Sequence, residues 1–276
     1  MKEKVADTIF FVILCIMAVV FVFPVFIVLI NSFKLKFSIA SAPFTFPNAE
    51  TFTGLSNYTV GIKNTGFPMA FMWSLFITVF SVAAIIIFTS MTAWYITRVK
   101  TKFTSFLYYS LVFSMIVPFQ MVMFTMSKTA NVLGLDNPIG IILIYLGFGA
   151  GLSVFMFSGF IKNVPLTVEE AATIDGCNTF EVFWKVVFPI LKPTAITVAI
   201  LNTMWIWNDY LLPYLVIGKD YKTIPIAVQY LKGGYGSVDM GAMMAMLVLS
   251  IIPVVIFYLS SQKYIIKGVA AGAVKG

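Results

Sequence analysis

The sequence predicts an all-α integral membrane protein with six transmembrane helices, and two observations carry that reading. Of the 276 residues, 60% are hydrophobic and only 11% are charged, whereas soluble domains average roughly 45–50% and 25%. The mean hydropathy is +0.98, and the apolar residues gather into six runs. Each is near the roughly 20 residues that a helix needs to cross about 30 Å of hydrocarbon.

The first run covers Ile9 to Ile30, the second Phe71 to Ile96 and the third Phe106 to Met126. The fourth covers Ile139 to Phe160, the fifth Thr194 to Val216 and the sixth Ala242 to Ser260. One transmembrane domain over residues 1–276 is expected, with a polar loop at 161–193. Lipid cannot hydrogen-bond a backbone, so every run is expected to be a helix. Pro24, Pro118, Pro213 and Pro253 are expected to kink these helices rather than end them. Lys2 and Lys4 before the first run resemble the start of a signal peptide. That run is about a full span with no small-residue cleavage pattern behind it, so a retained anchor is expected.

Composition also removes whole classes of function. Histidine is absent, and the two cysteines lie apart, Cys15 in an apolar run and Cys177 in a polar one. Neither a zinc site nor a disulfide framework follows from them. No nucleophile-base pair or phosphate-cradling glycine loop is present, so no catalytic residue and no bound cofactor are expected in this chain. The net charge of +7 comes from lysines flanking the runs, which points to membrane orientation and not to nucleic acid. With the amino terminus inside, inner segments hold Lys2, Lys4, Arg98, Lys100, Lys102, Lys162, Lys185, Lys192, Lys263, Lys267 and Lys275. Outer segments hold fewer: Lys34, Lys36, Lys63, Lys128, Lys219, Lys222 and Lys232. Both termini are therefore expected in the cytoplasm of a multi-pass cell-membrane protein, although Lys34 and Lys36 speak against it.

The most informative polar stretch is IKNVPLTVEEAATIDGCNTFEVFWKVVFPILKP, between the fourth and fifth runs. Thr167 with Glu170 has capping-box spacing behind Pro165, Ala171 and Ala172 propagate a helix, and Gly176 suits a left-handed terminator. A second helix is expected from Asn178 and Glu181, with Phe180, Phe183, Trp184 and Val187 on its apolar face and Pro189 ending it. Two capped helices lying against the membrane make a rigid knob that can dock in a groove of another protein.

These residues carry a family resemblance. EEAATIDG, followed by the spacing from Phe183 to Pro189, resembles the EAA loop of binding-protein-dependent ABC importer permeases. LSNYTV, MIVPFQ, NVLGLDN, WNDYLLP, TIPIAVQYL and the terminal QKYIIKGVAAGAVKG follow in the family's order. The last two resemble the carbohydrate branch, specifically the smaller maltose-type permease, and the likeness spans Ile9 to Gly276. Cys177 departs from the small residue more common there, a change that packing tolerates. The resemblance implies a cytoplasmic coupling helix between spans four and five, with Glu169, Glu170, Ala171, Ala172, Asp175 and Gly176 against an ATPase. Glu170 can equally serve its own helix as a capping acid, and Gly176 its own turn. Further partners implied are a second homologous permease subunit, two ATPase subunits that hold ATP and Mg, and an extracytoplasmic solute-binding protein. The final GAVKG reaches the ATPases by the same analogy, or is a frayed tail.

A sugar path needs hydrogen-bonding and aromatic groups among apolar helices. The fifth run supplies Asn202, Thr203, Trp205, Trp207, Asn208, Asp209 and Tyr210, with Asp209 the only formal charge in any run. The alternative reading makes Asp209 an acid hydrogen-bonded within the bundle and the tryptophans part of an interfacial belt. Gln120, Met123, Tyr145 and Ser153 are weaker path candidates, with helix packing as their alternative, and Gly147, Gly149 and Gly151 are read as close helix approaches. No run contains Lys or Arg, which fits a neutral solute better than an anion. The reading is thus a permease subunit for sugars or oligosaccharides. A polyol or peptide permease is the alternative, and an ion-coupled carrier is disfavoured by one acid and no histidine.

Overall fold

The computed structural model describes residues 2–218, 220–232 and 239–273. Lys219 and the last three residues of the GAVKG tail lie outside the described residues. In chain order the helices are α1 (Lys2–Asn31), α2 (Lys36–Ser41), α3 (Ser56–Thr65), α4 (Phe67–Arg98), α5 (Lys102–Ser114) and α6 (Phe119–Val132). Then come α7 (Pro138–Ile161), α8 (Leu166–Ile174), α9 (Thr179–Asn208), α10 (Leu211–Val216), α11 (Ile224–Gln229) and α12 (Met240–Ala273). Among the described residues there is no strand. Five helices are long and apolar enough to cross a membrane, or six when the bent pair α5 and α6 counts as one span. The all-α membrane architecture expected from the sequence is therefore observed.

Two expected spans are drawn differently. The third, Phe106 to Met126, is not continuous: α5 and α6 meet at 107°. Pro118 caps α6 in an extended conformation, and a proline disfavours helical geometry in the residue before it, here Val117. Pro118 therefore breaks the run instead of kinking it. The fifth span begins earlier and ends earlier than Thr194 to Val216. The expected second loop helix does not stop at Pro189 but runs straight on, as one 30-residue helix from Thr179 to Asn208. The turn before the proline, Val182–Val187, is widened into a π-helix in which the Phe188 N–H reaches Phe183 O. That wider turn relieves the clash a proline ring makes with the preceding turn. Pro24 and Pro253 do lie inside their helices, as does Pro193.

By contact density the chain divides into residues 1–69 with 227–255, and residues 70–226 with 256–276. In the first unit every side chain from Ala6 to Phe26 is exposed, as a lipid-facing helix requires. Beyond α1 the chain is knotted down by polar groups. Asn31 Nδ2 donates to Ile27 O and Pro43 O at 2.8 Å each. Asn57, from the LSNYTV stretch, donates to Ser32 O and Lys34 O at 2.9 and 2.8 Å, and Tyr58 Oη shares a 2.8 Å bond with Ser32 Oγ. Lys34 is 1% exposed, and its Nζ donates to Ala42 O at 3.0 Å. Burial lowers its pKa from the ordinary lysine value. Lys34 is thus held inside the loop fold, so its charge is a poor guide to orientation. α12 meets α3 closely, for a Cβ at Gly61 would strike the Met246 side chain.

The second unit holds the long core. Ile85, Ile141, Tyr145, Phe157, Ile161 and Leu191 are all fully enclosed. Glycines set the approach of its helices at two of the three positions expected. A Cβ at Gly151 would come within 2.5 Å of Leu111 O on α5, and one at Gly149 within 2.6 Å of Ile85 Cδ1 on α4. At Gly147 a Cβ would meet nothing within 4 Å, which corrects the expectation for that residue. Gly151→Ala should therefore destabilise the protein by about 1–3 kcal/mol. Gly147→Ala should leave the melting temperature unchanged or raise it. Thermal denaturation of the detergent-purified variants checks both.

Candidate functional site

The polar loop folds as two helices joined by a tight reversal. α8 is capped by Pro165 with no side-chain bond, so the Thr167–Glu170 capping box is not formed. Pro165 supplies an extended cap one residue before Leu166, which places Thr167 inside the first turn. At the other end Cys177 N bonds Ala172 O at 3.0 Å and Gly176 N bonds Thr173 O at 3.1 Å. With Gly176 at φ +88°, these two bonds form a Schellman termination, as a left-handed glycine at 176 predicts. The cap on α9 is the expected one. Asn178 Oδ1 accepts from Glu181 N, and Glu181 Oε2 accepts from Asn178 N, both at 3.0 Å. Lys185 Nζ closes a 2.7 Å ion pair with Glu181 one turn later.

The six docking candidates separate into two sets. Glu170, Ala171, Asp175 and Gly176 are exposed, whereas Glu169 and Ala172 are buried. The buried acid is fully engaged. Arg98 Nε and Nη2 donate to Glu169 Oε1 at 2.8 and 2.6 Å, and Trp94 Nε1 donates to Glu169 Oε2 at 2.9 Å. Arg98 Nη2 also donates to Val164 O at 2.9 Å. Both partners come from the last two turns of α4, so the first helix of the knob is fastened to a transmembrane helix through a shielded carboxylate. Charge-assisted bonds of this kind are short and strong, and a guanidinium supplies the planar fork they need. Trp94 also packs on Phe183 with ring centroids 5.4 Å apart, tying α9 to the same point.

Sequence reasoning missed this clamp. Arg98 is the single arginine of the chain, placed at the end of an apolar run, and that singularity was the available signal. Ile174 was missed as well. It is 85% exposed and stands between Glu170 and Asp175 on the outward side of the knob. A concavity of about 710 Å³ beside it is lined by Trp94, Glu170, Thr173, Ile174, Cys177 and Asn178 among others.

The path candidates also separate. Tyr145 Oη, fully buried on α7, donates to Asp209 Oδ2 at 3.1 Å, and its ring meets Trp205 edge-on at 5.4 Å. One turn of α9 earlier, buried Asn202 donates to Val198 O at 2.9 Å and to Ser153 Oγ at 3.4 Å. The structure thus brings together Tyr145, Ser153, Asn202, Trp205 and Asp209 along the facing sides of α7 and α9. Trp207 points elsewhere, packing edge-on against Phe71, and Asn208 turns back onto Met204 O at 2.7 Å. Tyr210 stacks on Tyr214 at 5.2 Å. Gln120, exposed, and Met123, half-buried, lie on α6. Asp209 is also structural, since its Oδ1 accepts from Leu211 N at 3.0 Å and Leu212 N at 3.4 Å. It ends α9 and opens α10.

Comparison with known proteins gives the arrangement its context. The family described as "Binding-protein-dependent transport system inner membrane component" matches residues 89–271, the stretch that contains the clamp, the knob and the polar cluster. The chain is 39% identical over 94% of both sequences to a probable starch degradation products transport system permease protein, AmyC, of Thermoanaerobacterium thermosulfurigenes. It is 35% identical over 99% of both to the multiple sugar-binding transport system permease protein MsmG of Streptococcus mutans. In fold it superposes on a chain of a bacterial ABC transporter involved in the import of the acidic polysaccharide alginate. That match has a TM-score of 0.79 over 95% of this chain and 97% of the other, at 23% identity. The apolar helices and the extent of these matches lead to one assignment: the chain is a multi-pass membrane protein that belongs to the family of inner-membrane components of binding-protein-dependent transport systems.

Proposed function

We propose that this chain is a sugar-importer permease subunit in which the knob formed by α8 and the start of α9 couples ATP hydrolysis elsewhere to movement of the spans. The observation that carries the reading is the division of labour between adjacent acids. Glu169 faces inward and is locked to α4, while Glu170, Asp175 and Ile174 face outward with no structural task in the knob's own hydrogen bonding. An exposed apolar side chain flanked by acids suits a groove on a partner with apolar floor and basic rim. The partners proposed are two ATPase subunits carrying ATP and Mg, a second permease subunit beside the exposed α1, and an external solute-binding protein. The knob and both termini would then lie in the cytoplasm. In keeping with the names of its relatives, the cargo is a sugar or oligosaccharide. The Tyr145, Trp205, Asn202 and Ser153 cluster offers the ring faces and hydrogen-bonding groups that a neutral sugar needs.

Three sets of variants and one uptake assay test this. Glu170→Lys should leave protein level and membrane insertion unchanged but uncouple ATP hydrolysis from uptake of radiolabelled oligosaccharide. Normal uptake by that variant removes the docking role. Arg98→Gln leaves the Glu169 carboxylate shielded without its cation, which costs about 3 kcal/mol when one partner of a buried pair is lost. It should lower both thermal stability and uptake, and Arg98→Gln with Glu169→Gln should recover stability more than uptake, read by melting temperature and transport together. Trp205→Ala should lower uptake more than it lowers the amount of assembled complex. Equal losses of both would instead make Trp205 a packing residue. Uptake of a polyol or a peptide in place of sugars by a deletion strain carrying this chain would redirect the cargo assignment.

A further inference from the structure

A second charged feature lies at the same end of the spans and shares Arg98 with the clamp. Arg98 closes α4, Lys102 opens α5, and Lys162 follows the last residue of α7. Between these helix ends lies a cleft of about 660 Å³ whose walls include Arg98, Lys100, Lys162, Tyr108, Ser158 and Leu166. Three cations line it and no carboxylate does. The arginine bonds that the protein makes run through Nε and Nη2, which leaves Nη1 for another acceptor. Lys162 Nζ sits 5.8 Å from the centre of the Tyr108 ring, a position that holds an ammonium without neutralising it. Ser158 is 1% exposed, and its Oγ has no hydrogen-bond partner. A polar atom so enclosed is normally satisfied. An unsatisfied hydroxyl beside two lysines with no carboxylate partner, and an arginine with Nη1 to spare, marks a place for an acceptor-rich anion.

We propose that this cleft binds a phosphate group carried on an anionic membrane lipid. The source is argued from position. The cleft opens where three apolar helices end, the level at which headgroups lie and at which lysine and arginine are drawn to anionic lipid. Its wall is mixed, with Leu166 and the Tyr108 ring beside the cations, as suits a ligand that is charged at one end and apolar at the other. The phosphodiester receives the lysines and the Ser158 hydroxyl, and the acyl chains leave along the outer faces of α5 and α7.

Native mass spectrometry of the full-length purified chain, titrated separately with phosphatidylglycerol and phosphatidylcholine, tests the site. Phosphatidylglycerol should bind roughly tenfold more tightly than phosphatidylcholine. The Lys100→Gln, Lys162→Gln double variant should lose about thirtyfold of that affinity, from a contribution of about 1 kcal/mol for each of the two lysines near an anionic surface. Lys128→Gln, on exposed α6, should lose none, and Ser158→Ala should lose part. Helical circular dichroism and elution volume should match the parent in all three, which separates a lost site from a lost fold. Equal binding of the two lipids, or unchanged affinity in the double variant, overturns the proposal. Displacement of phosphatidylglycerol by millimolar inorganic phosphate overturns the lipid assignment and gives the site to a soluble phosphate.

Discussion

A backbone surrounded by hydrocarbon has no partner but itself, and that constraint dictates where this chain is regular and where it is broken. The long helices satisfy most of their own N–H and C=O groups, with gaps only at their ends and at internal prolines such as Pro24, Pro193 and Pro253. Three of the interruptions are repaired by a specific device. Asn137 accepts from Ile139 N and Gly140 N at 3.0 Å each to restart α7. The Schellman bonds at Gly176 and the reciprocal Asn178–Glu181 box repair the reversal between α8 and α9. Asp209 repairs the break between α9 and α10 by accepting from the first free amides of the new helix. The polar residues of this apolar chain are concentrated at its joints because joints are where the backbone is exposed.

The same logic explains the buried ion pair. A carboxylate shielded at 6% exposure is costly unless each oxygen is bonded and a cation is close. Glu169 has both. Trp94 and Arg98 are four residues apart and so share one face of α4, and they present an indole N–H and a guanidinium fork to one acid. Lysine in place of arginine would offer a point charge without the planar fork. The clamp therefore fixes the direction of α8 relative to α4 as well as its distance.

The fold was largely legible in the sequence because hydropathy over some 20 residues integrates many weak signals. The breaks were less legible because each depends on a single residue in context. Pro118 and Pro189 both follow apolar runs, yet one breaks a helix and the other is absorbed by a π-turn. What distinguishes them is whether neighbouring packing supports the continued helix, as Phe183, Val187 and Leu191 do around Pro189. At the knob, Gly176 and the Asn178–Glu181 box were readable because their geometry is local. The inward turn of Glu169 was not, since its partners lie 71 and 75 residues away in sequence. Among path candidates the division between Trp205, against Tyr145, and Trp207, against Phe71, depends on helix rotation, which two tryptophans at spacing two cannot reveal.

The continuity of α9 ties these sites into one device. Thirty residues at 1.5 Å each make a rod of about 45 Å, with the knob's cap at its first turn and Asp209 just past its last. Had the chain ended a helix at Pro189 and begun another at Thr194, a corner would separate the knob from the polar cluster. The π-turn keeps the rod unbroken while passing the proline. Asp209 serves as acceptor for Tyr145 and as cap for α10 at once, so it ties the end of the rod to both α7 and α10. The carboxylate is occupied by the protein's own donors. Asp209 itself belongs to the joint between α9 and α10.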